Sequence, residues 1–179
     1  MAAGFVAGLL AVALLADSAA AADPPEAVEP ASSRMSALHP TQHGGASVGT
    51  IRIPAVELDS TIRSGIAAEV IDQGVAHWVG TASPGEEGNV VLAGHRTTHS
   101  RPFQDLNRLE NGDLIFLTDG WGFESMYRVT DVFIVTPGDV WITWEQGRAM
   151  VTLFACHPKG SARQRIVVQA DLVAGRIVL

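Results

Sequence analysis

Residues 126–135 read Met-Tyr-Arg-Val-Thr-Asp-Val-Phe-Ile-Val and form a long alternating segment. β-Branched and aromatic side chains fill it, which is typical of a β-strand with one buried face. Further strand-like segments lie on both sides of it, separated by turn residues; they cover residues 49–54, 89–94, 113–118, 149–155 and 165–172. Several strands at such short spacing predict a mainly β fold, either an antiparallel sheet or a barrel.

Helical signals are few and short. Residues 67–73 and residues 101–109 suit helices, and Pro102 lies near the start of the second segment, where proline is tolerated. Because both segments are brief, we expect them to accompany the sheet and not to form a layer of their own.

Composition narrows the class of protein. The chain has 179 residues, with 12 Lys and Arg against 19 Asp and Glu, a net charge of −7 and one cysteine. The acidic balance argues against non-specific nucleic-acid binding, which needs clustered cations. A single cysteine excludes an internal disulfide framework and a cysteine-rich metal site.

The N-terminal part differs from the rest of the chain. Of residues 1–22, 18 are apolar, which predicts a secretory signal peptide or a membrane anchor, with a buried helix as the less favoured alternative. Residues 23–48 are rich in Pro, Ala, Ser, Gly and acidic residues, and we interpret them as a flexible linker. Residues 49–179 then form the folded domain, which lies outside the cytoplasmic membrane in either favoured case.

Two residues with reactive side chains end two buried strands. Cys156 follows the apolar run 151–155, and His95 follows the strand-like segment 89–94. Each has a structural explanation, because free cysteine is often buried and a histidine often closes a strand. A nucleophilic thiol nevertheless needs an acid/base partner, and imidazole serves near neutral pH.

An arginine opens the strand that follows the cysteine. Arg165 would lie beside Cys156 if the two strands are neighbours, where a guanidinium can stabilise a developing oxyanion. Arg163 shares its face if the strand extends that far, and spacing alone does not separate the two. Thiol, imidazole and guanidinium together indicate a site for acyl transfer.

These residues lie in motifs that resemble those of sortases. The motifs are Leu-Ala-Gly-His-Arg-Thr-Thr at 92–98, Arg-Pro-Phe at 101–103, Thr-Leu-Phe-Ala-Cys-His-Pro at 152–158 and Ser-Ala-Arg-Gln-Arg-Ile-Val-Val at 161–168. The pattern is most similar to actinobacterial class E sortases. The resemblance implies a closed eight-stranded β-barrel with a few short helices. It also implies that Cys156 is the nucleophile, His95 the acid/base and Arg165 the catalytic arginine. From the residues we expect no cofactor and no metal site.

The resemblance further implies a reaction. Sortases cleave a C-terminal sorting signal of LPxTG type, or LAxTG in class E, through a thioacyl-enzyme intermediate. They transfer the protein to an amine of a peptidoglycan precursor or a pilin. We therefore expect a membrane-associated enzyme on the extracytoplasmic face, secreted if residues 1–22 are cleaved. One position departs from the family motif, because Ala155 stands where sortases have threonine.

Other readings of the chain stay open at this point. A cysteine peptidase would release the acyl group to water, and a non-catalytic envelope domain would only bind such peptides. His95 and His99 are four residues apart, but the glutamate of the His-Glu-x-x-His zinc motif is missing. Glu86 and Glu87 suit a solvated turn better than a calcium site. The remaining aromatic candidates are expected in the core or at the rim of the domain; they are Trp121, Trp141 and Trp144.

Overall fold

The computed structural model describes residues 45–178, with side chains described as far as residue 175. The predicted hydrophobic segment 1–22 and most of the predicted linker 23–48 lie outside the described residues. Within the described part of the chain, no helix is both long enough and apolar enough to cross a membrane.

Eight strands close into a barrel, in the order β1-β2-β3-β4-β7-β8-β6-β5. Their bounds are β1 Ser47–Ile53, β2 Leu58–Ser64, β3 Val75–His77, β4 Asn89–Ala93, β5 Leu114–Asp119, β6 Phe123–Val135, β7 Met150–His157 and β8 Gln164–Val178. The predicted fold class, a closed eight-stranded barrel, is confirmed. The chain order of the strands differs from their order in space, because β7 and β8 lie between β4 and β6.

Two of the strand pairs are parallel, namely β2 with β3 and β4 with β7. The ladder between β4 and β7 runs from Asn89 opposite Met150 to Ala93 opposite Phe154. The antiparallel ladder between β7 and β8 continues further, to His157 opposite Gln164. Strand β7 is thus held on both sides, which gives its C-terminal end a defined position.

Helices are scarce, as the sequence predicts. The α-helix α1 spans Ala68–Ile71, inside the predicted segment 67–73. Short 3-10 helices span Pro54–Val56, Leu106–Arg108 and Val140–Thr143.

The prediction of a helix over residues 101–109 is wrong. Arg101 has a φ of 50°, a left-handed conformation that a right-handed helix excludes. The backbone N–H of Phe103 donates to the carbonyl of His95 at 3.0 Å and not to a residue one helical turn earlier. Turns and the 3-10 helix Leu106–Arg108 take the helix's place.

The two faces of the barrel wall carry different apolar clusters. The interior holds one large cluster to which nearly every strand contributes, including Ile51, Leu117, Leu153 and Val168, all fully buried. Strand residues that point the other way join two smaller clusters. Helix α1 covers the first of these, through Val70, and the segment 136–149 covers the second, through Ile142. Between them the outer face of β4, β7 and β8 becomes the floor of a groove.

Candidate active site

Register places the three predicted site residues at one level of the barrel wall. Cys156 on β7 pairs directly with Arg165 on β8. On the other side of β7, Ala93 pairs with Phe154, and the N–H of Gly94 still donates to the carbonyl of Phe154 at 3.3 Å. Because side chains on a strand alternate between faces, the next outward position after Ala93 is His95 and after Phe154 is Cys156. His95, two residues beyond the end of β4, therefore lies beside Cys156 on β7 and Arg165 on β8, on the outer face of the barrel wall.

The floor below these residues is apolar. The ring of Phe154 lies one outward position below Cys156, and its centroid is 6.1 Å from that of Trp78. A cleft at this point is lined by Trp78, Phe154 and Arg165 together with the first half of the segment 136–149. An extended peptide with one apolar side chain fits such a cleft, because most of a ligand's contact area comes from apolar walls.

His95 is held by a carboxylate that sequence reasoning missed. Its Nε2 lies 2.9 Å from Oδ1 of Asp72, the residue that ends helix α1. The same oxygen lies 3.2 Å from Nδ1 of His99. A carboxylate on one ring nitrogen fixes the orientation of the imidazole. Asp72 and His95 are 23 positions apart in the chain, and this separation forms no spacing pattern that could have indicated the pair.

The two arginines that the sequence left open occupy different positions. Arg165 lies within β8, and its Nη1 donates to the carbonyls of Ala162 and Gln164 at 2.8 and 2.9 Å. These bonds use Nη1 and hold the guanidinium at the start of the strand, where Arg165 lines the cleft. Arg163 precedes the strand and is exposed. The geometry therefore favours Arg165 as the partner of Cys156.

A further arginine, Arg96, approaches Cys156 from the side opposite to Arg165. Its side chain is buried, with 3% of the residue exposed. Nη2 donates to Oδ1 of Asn107 at 2.6 Å, and Nη1 donates to Nδ1 of His157 at 3.0 Å and contacts the Cys156 carbonyl at 3.5 Å. Burial lowers the pKa of Arg96, although the nearby Asp105 and Cys156 raise it. The sequence could have indicated Arg96 through its position directly after His95, because the side chain that follows His95 must point to the other face of the wall.

The threonine of the cysteine motif has a structural contact. Thr152 is buried and donates its hydroxyl to Oδ1 of Asn89 at 2.8 Å. The amide nitrogen of Asn89 donates to the carbonyls of Ile142 and Trp144. The carboxylate of Glu145 accepts the Asn89 backbone N–H at 3.0 Å. This network anchors the segment that walls the groove to strands β4 and β7.

The departure at Ala155 falls on the inner face of the wall. Ala155 is 2% exposed, belongs to the interior cluster and pairs with Ile166. Its side chain points away from the face that holds Cys156. A hydroxyl at this position would meet the apolar interior, where an unpaired polar group is costly.

The remaining candidates lie at the surface. Thr97 and Thr98 are exposed loop residues. Trp121 and Trp144 are largely exposed, and Trp141 stacks on Phe133 at 5.8 Å. The tryptophans therefore belong to the rim of the domain.

Comparison with known proteins identifies the family. The sortase domain, as a family profile, matches residues 51–173, which is more than half of the chain. This chain belongs to the sortase family. The predicted membership of the sortase family is thereby confirmed.

Similar proteins include sortases of classes D and E. The chain is 30% identical to Sortase D of Bacillus subtilis over 133 residues, covering 72% of this chain and 65% of that protein. It is 31% identical to Sortase SrtE1 of Streptomyces coelicolor over 149 residues, covering 74% of this chain and 42% of that protein. The match thus spans less than two thirds of the length of these relatives.

A solved structure agrees with the fold. Sortase E from Streptomyces avermitilis superimposes with a TM-score of 0.65 at 30% identity, over 73% of this chain and 90% of that one. The Sortase D5 transpeptidase of Clostridium perfringens has a TM-score of 0.68 at 24% identity, covering 82% and 90% respectively. At the latter identity the likeness concerns the fold alone.

Proposed function

We propose that this chain is a cysteine transpeptidase that cleaves a sorting signal of LAxTG or LPxTG type and transfers the protein to an amine. The observation that carries the proposal is the alignment of His95, just beyond the end of β4, with Cys156 and Arg165 on the paired strands β7 and β8. Nucleophile, acid/base and anion-stabilising cation are the three groups that acyl transfer through a thioester requires. Membership of the sortase family adds support.

The first half of the reaction forms the thioacyl enzyme. Sγ of Cys156, as thiolate, attacks the carbonyl carbon of the threonine in the signal, and the carbonyl oxygen becomes an oxyanion. Nε and Nη2 of Arg165 donate to that oxygen. The bond between threonine and glycine then breaks, and imidazolium His95 gives its proton to the departing glycine amine.

The second half returns the enzyme to its starting state. An incoming amine attacks the thioester carbon, and neutral His95 accepts a proton from it. The carbon–sulfur bond breaks, and Cys156 leaves as thiolate. Asp72 holds Nε2 of His95 through both halves, so the proton exchanges at Nδ1 and the ring keeps one orientation.

The groove supplies recognition by apolar contact. The floor at Phe154 and the wall near Ile142 suit the leucine of the signal. The backbone of an extended peptide then passes along the row of site residues. The anchoring of the wall by Asn89 gives the pocket a fixed shape before substrate arrives.

Location and partners follow from the N-terminal sequence and the family. We propose that residues 1–22 place the domain on the extracytoplasmic face of the membrane, or release it if they are cleaved. The donors are secreted proteins with C-terminal sorting signals. The acceptor is an amine of a peptidoglycan precursor or a pilin.

Peptide turnover tests the proposal directly. The full chain in detergent is incubated with an LAxTG or an LPxTG peptide, with and without a glycyl peptide or hydroxylamine as the amine. Mass spectrometry should show an acyl adduct on Cys156 and an amide product when amine is present. Cys156→Ala should abolish both; unchanged turnover in that variant would overturn the proposal.

Two further outcomes separate the alternatives. Cleavage that never yields an amine adduct indicates a peptidase, and binding without cleavage indicates a peptide-binding domain.

The two arginines provide a matched pair. Arg165→Gln should lower kcat/KM by about 10²–10³-fold, because an oxyanion donor is lost. Arg163→Gln removes the same charge two residues away and should leave the rate nearly unchanged. Equal losses in the two variants would argue against a specific role for Arg165.

A further inference from the structure

Three potential metal ligands meet beside the groove. Asp72 comes from the end of helix α1, His95 from the end of β4 and His99 from the following loop. One ligand atom from each side chain lies within 4.8 Å of the others. The side chains of Asp72, His95 and His99 are 38%, 26% and 51% exposed, so an ion can reach all three from solvent.

The spacing of these atoms suits a transition-metal ion. Oδ1 of Asp72 lies 2.9 Å from Nε2 of His95 and 3.2 Å from Nδ1 of His99. Zinc binds nitrogen and oxygen at about 2.0–2.2 Å in tetrahedral geometry, which sets its ligand atoms about 3.3 Å apart. Small rotations of two exposed imidazoles would turn both ring nitrogens from the carboxylate toward a shared ion.

The loop brings His99 into this arrangement by an unusual backbone conformation. His99 has a φ of 52°, which few non-glycine residues adopt. Its ring centroid lies 4.9 Å from that of His95. Both imidazoles thus stand on the same side of Asp72. The sequence argued against a zinc site because the glutamate of the His-Glu-x-x-His motif is missing; the third ligand, Asp72, lies far away in the chain and was not considered.

We propose that Asp72, His95 and His99 bind a divalent transition-metal ion such as Zn²⁺, and that the bound ion inhibits the enzyme reversibly. Two histidines and one carboxylate leave the fourth position of a tetrahedral ion to water. The metal occupies Nε2 of His95 and displaces the carboxylate contact that orients its ring. With the metal on Nε2, Nδ1 keeps its proton and the ring cannot become an imidazolium, so His95 no longer exchanges a proton with the amine. Inhibition rests on the proposed function, whereas metal binding does not.

Cobalt titration tests binding without any assay of activity. Co²⁺ is added to the full-length Cys156→Ala chain, and its visible d–d absorption is followed. We expect saturation at one equivalent and displacement by Zn²⁺. Because this variant has no thiol, capture by the cysteine cannot produce the signal.

Variants locate the site. His99→Ala should weaken Co²⁺ binding by about 10–100-fold. Asp72→Asn should weaken it to a similar extent, and each variant tests the site if the other fails to fold. The double variant His39→Ala/His43→Ala removes two histidines from the N-terminal region and should leave the affinity unchanged. Unchanged affinity in folded His99→Ala and Asp72→Asn, or loss of binding in the double variant, would overturn the site.

A second measurement concerns inhibition. Zn²⁺ should suppress peptide turnover by the native chain, and EDTA should restore it. Zn²⁺ inhibition of the native chain without Co²⁺ binding to Cys156→Ala would assign the metal to the thiol and overturn the proposal. Co²⁺ bound at Asp72 and His99 in a chain that turns over no peptide would instead contradict the proposed function and leave the metal site standing.

Discussion

At the scale of single residues, His95 and Arg96 lie just beyond the end of β4 but place their side chains on opposite faces of the barrel wall. Successive side chains of an extended segment point to opposite faces. His95 therefore stands in the groove, whereas Arg96 enters the protein and reaches Asn107 and His157. The contact with the Cys156 carbonyl brings Arg96 to the backbone of the nucleophile itself. We therefore expect Arg96 to act as a positioning residue for Cys156.

The variant Arg96→Lys tests this role. Lysine keeps the charge but cannot donate from two nitrogens in a fixed plane. The end of β7 should shift, and we expect kcat to fall by about 10–100-fold, since small displacements of a reacting group are costly. KM should change little, because the groove is intact.

Arg108→Lys is the matched control. Arg108 is exposed, and its Nη1 lies 3.9 Å from Asp105. Its replacement should leave kcat at the native value. A higher KM with unchanged kcat in Arg96→Lys would indicate instead that Arg96 contributes to substrate binding in the groove.

At the scale of elements, the segment after β4 is packed tightly against the strand end. A Cβ on Gly94 would lie 2.8 Å from the Phe103 ring and 3.0 Å from Cγ of Pro102. The Phe103 N–H donates to the carbonyl of His95. The glycine thus lets the Arg-Pro-Phe motif pack directly over the residue before His95, the proposed acid/base.

Gly94→Ala should therefore destabilise the domain by about 1–3 kcal/mol, because the added methyl group overpacks a buried contact. Activity should fall further than the loss of folded protein explains, since His95 is the next residue. Urea unfolding and kcat of the same sample measure the two effects separately.

Gly138→Ala provides the comparison. A Cβ at Gly138 meets nothing within 4 Å among the described residues. Its free energy of unfolding should stay near that of the native chain. Equal destabilisation by both alanines would refer the effect to backbone entropy and not to the Phe103 contact.

Elements also show where sequence reasoning fails. The predicted strand segments correspond to β1 and β4–β8, because their side chains fill the interior or the outer clusters. β2 and β3 escaped prediction. In β2 only Ile62 is fully buried, and β3 has three residues, so neither shows a clear period. The site residues on β4, β7 and β8 were predictable from strand ends and motifs, whereas Asp72 and Arg96 reach the site through tertiary packing.

At the scale of the whole molecule, the free energy of unfolding depends on the protonation of a histidine that does not line the groove. His77 ends β3 with 8% of its surface exposed, and its Nε2 donates to the Ala82 carbonyl at 2.9 Å. Burial lowers the pKa of His77, although that hydrogen bond and Glu86 act in the opposite direction. The unfolded chain therefore binds a proton at a higher pH than the folded one.

The free energy of unfolding should accordingly decrease as the pH falls through the ordinary histidine value of 6.5 toward the lower folded pKa. Above that window the contribution is fully present. Urea titrations across this range should show the slope in the native chain and a flatter profile in His77→Gln. An identical slope in the variant would refer the pH dependence to other groups. The carboxyl groups of Asp105 and Asp139, whose pKa is lowered mainly by hydrogen bonds from Lys159 and Thr136, act in a separate window below 3.8.

The parallel pairing of β4 with β7 has a consequence for folding. No local hairpin can bring Cys156 to His95, because β4 and β7 are parallel and strands β5 and β6 lie between them in the chain. Contacts across such long separations form late and slow the folding of a chain. A nascent or partly unfolded molecule therefore exposes a thiol without its imidazole. In denaturant, Cys156 should therefore lose its ability to form the acyl adduct when the whole barrel unfolds, and not through a local opening at the groove.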